Sequence, residues 1–174
     1  MTALIWIRAG DIAISEPIPP ALLRNPLHLL SLGFGSGLAP RAPGTWGTLV
    51  AVPFYLMLAL LPLAWYLLAV LLAFVVGVFL CTYTSKALGV HDHSGIVWDE
   101  FVGFWITMIA VPASWPWILA GFVLFRLFDI VKPWPVKLAD AKMKGGFGIM
   151  FDDVLAGLYA LAVLHIALQL VGAE

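Results

Sequence analysis

Val111-Pro112-Ala113-Ser114-Trp115-Pro116 is the stretch that decides how this chain folds. It interrupts the 25 residues between Glu100 and Arg126, which contain no Asp, Glu, Lys or Arg. Left intact, that block would be a single apolar span. Two prolines so close together oppose a straight helix, because each lacks an N–H and crowds the preceding turn. Ser114 is suited to cap a new helix. The block therefore reads as a hairpin, with one helix from about Gly95 to Val111 and the next from about Trp115 to Val131. Each would be about 25 Å long.

Working outward, the 44 residues between Arg41 and Lys86 are also free of charge. Leu61-Pro62-Leu63 breaks them near the middle. A helix from about Thr48 (or Gly44) to Leu61 and another from about Ala64 to Cys81 form a first hairpin. Pro53 falls in the early turns of the former, where a missing N–H matters least. A third uncharged block, 20 residues between Asp153 and Glu174, gives a last helix over about Asp152–Val171. The expected fold is all-α, an integral membrane bundle of about five helices: two helical hairpins plus a C-terminal helix. Residues 1–24 read as an N-terminal tail and 25–174 as a single membrane-embedded domain. Asn25-Pro26-Leu27-His28 could start a short interfacial helix.

Helix parity has a consequence for the charges. With five spans, the segments before the first helix, between the second and third, and between the fourth and fifth share one face. Those segments hold the charged residues, while both short turns are uncharged. With one span in the second block, the charged clusters would face opposite sides. Arg24, Arg41, Lys132, Lys137, Lys142 and Lys144 place the shared face in the cytoplasm.

Composition agrees. The chain is 63% hydrophobic and 11% charged, with mean hydropathy +1.02. A soluble domain carries about 25% charged residues, so a soluble monomer could not cover its surface. Disorder, collagen repeats and a coiled coil are excluded on the same grounds. The net charge is −1, so no basic excess supports nucleic-acid binding. Cys81 is alone, which excludes an internal disulfide and a multi-cysteine zinc site. Met1–Ile7 has no basic residue before it and is not a secretory signal.

Four segments could carry chemistry. His91-Asp92-His93-Ser94-Gly95-Ile96-Val97-Trp98-Asp99-Glu100 places acids at a helix start, where the dipole favours them. Three acids and two imidazoles in ten residues exceed what capping needs. No HExxH or cysteine partner accompanies the histidines, so oxygen ligands point to Mg²⁺ or Mn²⁺. In Arg126-Leu127-Phe128-Asp129-Ile130-Val131-Lys132, three charges recur every third residue and share a helix face. An ion-paired helix end would explain the cations, and an acid flanked by cations also suits phosphoryl chemistry. Lys144-Gly145-Gly146-Phe147-Gly148-Ile149-Met150-Phe151-Asp152-Asp153 combines glycines, which let backbone N–H groups approach an anion, with two acids opening a helix. One Asp would suffice as a cap. Gly33–Thr48 holds five glycines that could form an anion nest with Thr45 and Thr48, or a tightly packed loop.

Together Gly33–Thr48, His91–Trp105, Phe125–Val136 and Gly145–Gly157 resemble the phosphatidylglycerophosphatase A family of bacterial membrane lipid phosphatases. The resemblance covers about Asn25 to the end of the last helix and leaves out the first 24 residues. It implies Mg²⁺-dependent hydrolysis of the terminal phosphate of phosphatidylglycerophosphate, yielding phosphatidylglycerol, at the bacterial inner membrane. The partner is then a phospholipid substrate in the membrane, with no nucleic acid; the sequence leaves oligomeric state open.

On this reading Asp99, Glu100, Asp129, Asp152 and Asp153 are catalytic and hold one or two Mg²⁺, with Asp92 as a further metal ligand. Arg126, Lys132 and the backbone of Gly145 and Gly146 bind the phosphate, assisted by Arg41 and Thr45. His91 or His93 is the candidate general acid for the leaving alkoxide. A divalent-cation transporter would place its acids midway along helices, and a purely structural protein would not need them grouped with lysines. A phosphatase for another phosphorylated lipid headgroup is a further alternative.

Overall fold

The computed structural model describes residues 18–90, 92–137 and 143–172. Among these the chain is helical, with no strand. The helices are α1 (Pro26–Ser31), α2 (Pro43–Leu58), α3 (Leu63–Leu88), α4 (Trp98–Thr107), α5 (Trp115–Val131) and α6 (Gly145–Gly172). Short 3-10 turns, Pro20–Arg24 and Gly33–Leu38, precede α1 and α2. The end of the expected tail is therefore built into the fold, with Ile18 buried.

Local chemistry sets most boundaries. Asn25 caps α1, its side chain accepting the Leu27 N–H at 2.9 Å, with Pro26 following. Pro62 precedes α3, and Gly89, in the left-handed conformation at φ 67°, ends it. Trp115 and Pro116 begin α5 after Ser114. Ser114 holds the cap position without a side-chain capping bond; its carbonyl accepts the Ile118 N–H instead. The second uncharged block is thus two helices.

α2 starts at Pro43, one residue before the earlier of its two expected starts, so Pro53 sits in the helix interior and leaves the Leu49 carbonyl without its helical donor. Three helices differ from expectation. α3 continues to Leu88, seven residues beyond the expected end at Cys81. α6 starts at Gly145, nearly two turns before Asp152. α4 has ten residues, about 15 Å, where a span of about 25 Å was expected. Its N-terminus is set by the Val97 N–H bonding Ser31 O at 2.9 Å, and its C-terminus by turns leading into left-handed Ala110. Each residue from Asp99 to Thr107 is buried. An all-round apolar helix of this kind belongs inside a bundle.

α3 and α6 are long and apolar enough to cross a membrane, at 26 and 28 residues. They expose large apolar side chains, among them Leu71, Phe79, Ile166 and Leu170. Such a surface suits lipid rather than water. α6 lies against α4 at Gly157 and Gly103: a Cβ on Gly157 would stand 2.5 Å from the Gly103 carbonyl oxygen. Small residues at such crossings let helices approach closely.

The two uncharged turns lie together. Residues of the α2–α3 turn and of Met108–Ala113 line one cavity of about 200 Å³. The Tyr66 hydroxyl donates to Trp105 O at 2.6 Å, and the Tyr55 hydroxyl to Val111 O at 3.4 Å. The ends that carry charge gather at the opposite end of the bundle, around a second cavity.

Candidate active site

That second cavity, about 230 Å³, is built from five segments. The start of α2 supplies Pro43 and Gly44, the 92–97 turn supplies Asp92, and the first turn of α4 supplies Asp99 and Glu100. The end of α5 supplies Arg126, Asp129 and Lys132, and α6 supplies Asp152 and Asp153. Lys132 ends α5 in the left-handed region at φ 45°, which turns its side chain back toward α6. Six carboxylates thus face two cations.

The carboxylates fall into two groups. Asp129 Oδ2 lies 2.8 Å from Arg126 Nη1, and Asp152 Oδ2 lies 2.7 Å from Lys132 Nζ. These acids hold cations in place. Asp99, Glu100 and Asp153 each bring an oxygen within 4.8 Å of the others, and all three are buried. Glu100 Oε1 reaches Arg126 Nη1 at 3.5 Å, at the edge of an ion pair. Asp99 Oδ1, Glu100 Oε2 and Asp153 Oδ2 are buried and accept no hydrogen bond. Buried acceptors normally have partners, and an unpaired one costs about 1–3 kcal/mol or more when charged. Three such carboxylates also repel one another, and a cation shared among them relieves both costs. The donor set is all oxygen, which suits a hard divalent ion such as Mg²⁺ and not a thiolate- or imidazole-seeking metal.

The remaining candidates from the sequence are placed less centrally. Asp92 lines the cavity but stands outside the triad of oxygens. His91 lies outside the described residues, as does Lys142. His93 is buried in the turn, where Nδ1 accepts the Gly95 N–H at 3.0 Å, and it does not line the cavity. Nor do Arg41, Thr45, Gly145 or Gly146. The Gly146 N–H is donated to Thr82 Oγ1 at 3.1 Å, so this glycine serves the contact between α6 and α3. Of the two forms open to Gly33–Thr48, the structure takes the packed loop: Gly33–Leu38 is a kinked 3-10 turn with Gly33 and Gly37 buried, and the Thr48 hydroxyl donates to Gly44 O within its own helix. Asp152 and Asp153 do not open a helix; they sit inside one.

Of the five glycines in Gly33–Thr48, Gly44 is the one that lines the cavity. A Cβ there would collide with Glu100 Oε1 and stand 2.9 Å from Arg126 Nη1. The available signal was a glycine directly after the proline that starts a helix. That signal does not reveal which distant side chains converge on it.

Residues 29–168, which contain every residue lining this cavity, match the family model described as Phosphatidylglycerophosphatase A. The chain belongs to the phosphatidylglycerophosphatase A family. The resemblance drawn from four sequence segments is borne out. Phosphatidylglycerophosphatase A of Escherichia coli (strain K12) is 51% identical over 144 residues, covering 82% of this chain and 84% of the relative. Phosphatidylglycerophosphatase A of Haemophilus influenzae is 51% identical over 152 residues, covering 86% and 93%. No solved structure matches the chain.

Proposed function

We propose that this chain is a Mg²⁺-dependent phosphatidylglycerophosphatase. It removes the terminal phosphate of phosphatidylglycerophosphate at the cytoplasmic face of the bacterial inner membrane. Two relatives at 51% identity carry that activity in their names. The observation that carries the reading is charge: six carboxylates and two cations line the cavity. A phosphate monoester adds about −1.5 to −2 charges at pH 7. It can settle there only with a divalent cation, and Asp99, Glu100 and Asp153 are the groups to hold one. When bound, Mg²⁺ supplies polarisation of the phosphoryl oxygens and a more acidic water.

The chain's own groups do the rest. Arg126, fixed by Asp129, and Lys132, fixed by Asp152, bind phosphoryl oxygens. The first residues of α2 turn the positive end of its helix dipole toward the same anion. In the hydrolysis water adds to phosphorus, the bond from phosphorus to the glycerol oxygen breaks, and that oxygen takes a proton. The product is phosphatidylglycerol with inorganic phosphate.

Placement follows from the two ends of the bundle. The end bearing Arg24, Arg41, Lys86, Lys137 and Lys144 faces the cytoplasm. The substrate's acyl chains remain in lipid while its terminal phosphate enters the cavity. Residues 25–174, with the 18–24 segment packed on them, act as one multi-pass unit in this reading.

The test is phosphate release by the purified protein from phosphatidylglycerophosphate, phosphatidic acid and a phosphorylated inositol lipid. The expected result is release chiefly from the first. Preference for another lipid would assign a different headgroup. Mg²⁺ flux into vesicles without any phosphate release would assign a transporter.

A further inference from the structure

α2 and α5, which both line the catalytic cavity, also line an apolar groove further along the bundle. On α5, Leu119, Phe122, Arg126 and Asp129 succeed one another at steps of three and four residues, so one stripe carries the groove and the phosphate-binding cation. On α2, Leu49, Val52 and Pro53 line the groove one to three turns beyond Gly44, which lines the cavity. Between Leu49, Val52 and Pro53 on one side and Ile118, Leu119 and Phe122 on the other lies an open volume of about 400 Å³. It falls within the roughly 300–1,000 Å³ of small-molecule clefts. Trp115 completes the lining, and its indole N–H is the one polar side-chain group there. Leu49 follows Gly44 by five residues and Phe122 precedes Arg126 by four, about 6–8 Å along the helix axes.

We propose that this groove holds an acyl chain of the phospholipid substrate and so positions its phosphate at Arg126. The inference rests on the lipid-phosphatase reading above and adds to it the part of the protein that recognises the lipid tail. Two observations select this occupant. The lining offers no charge to a free phosphate and no acceptor or set of donors to a sugar or a nucleotide. The groove also runs along the same two helices that end at Gly44 and Arg126, so one molecule with an apolar chain and a phosphate fills both. The apolar face of α3 around Leu71 and Phe79 is exposed as well, but α3 contributes no residue to the catalytic cavity. It meets bulk lipid only.

The test fills the groove. Leu49→Trp and Leu119→Trp place an indole in it, and Leu71→Trp on α3 is the control. The purified variants are assayed with long-chain phosphatidylglycerophosphate and with its deacylated, water-soluble headgroup. The expected result is a tenfold or larger fall in the ratio of kcat/KM for lipid to that for headgroup, carried mainly by KM, in the two groove variants alone. A ratio within twofold of the unsubstituted protein, including equal loss on both substrates, overturns the proposal. A second arm uses the unsubstituted protein and phosphatidylglycerophosphate with a photoreactive acyl chain. Crosslinks on 43–58 and 115–131, competed by unlabelled substrate, support the groove. Uncompeted crosslinks spread over α3 overturn it. If the unsubstituted protein hydrolyses neither substrate, the lipid-phosphatase reading fails, while the crosslinking arm still reports on the groove.

Discussion

Asp152 and Asp153 are consecutive in α6 yet face different partners. Asp152 Oδ2 is 2.7 Å from Lys132 Nζ, while Asp153 joins Asp99 and Glu100 within a buried set of oxygens spaced no more than 4.8 Å apart. Neighbours in one helix thus serve the two halves of the site. Asp152 holds Lys132 at the cavity, and Asp153 belongs to the set suited to a metal.

The two variants are therefore expected to diverge. Asp153→Asn should lower kcat about a hundredfold or more, roughly 3 kcal/mol of barrier, and shift the Mg²⁺ midpoint upward. Asp152→Asn should chiefly raise KM and leave that midpoint in place. Phosphate release titrated with Mg²⁺ checks both. Equal shifts of the midpoint would mean that Asp152 is also a ligand.

Asp129 is one of the five acids that the sequence reading assigns to Mg²⁺. Its 2.8 Å contact with Arg126 favours a positioning role. Asp129→Asn is expected to cut kcat/KM by about tenfold to a hundredfold, 1.4–2.8 kcal/mol, without moving the Mg²⁺ midpoint. A rightward shift of the midpoint in the same titration would return Asp129 to the metal set.

Gly44→Ala tests how tightly the start of α2 closes on the cavity. The added methyl group would press on Glu100 and Arg126. Activity should fall at least tenfold while the thermal transition in detergent stays near that of the unsubstituted protein. Full activity would remove α2 from the site.

Gly157→Val tests the crossing of α4 and α6. Its side chain would run into the Gly103 backbone. Overpacking of this kind costs about 1–3 kcal/mol, so the melting temperature in detergent should drop, with activity lost in proportion to folded protein. An unchanged transition would show that the crossing can relax.

Orientation is tested by cysteine labelling, helped by the burial of Cys81. Ser114→Cys should react with an impermeant reagent from outside the inner membrane, and Arg41→Cys only from the cytoplasm. The reverse pattern would invert the topology and move the site to the other face.

How far the sequence reveals this arrangement depends on how local each signal is. Pro112 and Pro116 act on their own turns, so the break in the second block was legible. The length of α4 was not, because Ser31 and left-handed Ala110 set its ends through contacts outside the helix. The early start of α6 ran against the low helix propensity of Gly145, Gly146 and Gly148, which packing on α3 overrides. The acids stood out because charge is scarce in this chain. Their division into cation holders and an unpaired triad was hidden, since it depends on pairs such as Lys132 with Asp152 and Gly44 with Glu100 that come from different helices. The contact of the Gly146 N–H with Thr82 on α3 is hidden for the same reason.

The most direct measurement is phosphate release from phosphatidylglycerophosphate by the purified, metal-stripped protein as Mg²⁺ is added back. The account predicts no release in EDTA, saturable recovery with Mg²⁺, weaker recovery with softer ions such as Zn²⁺, and a higher Mg²⁺ requirement in Asp153→Asn. Full turnover in the metal-stripped protein, or no release at any Mg²⁺ concentration, would contradict it.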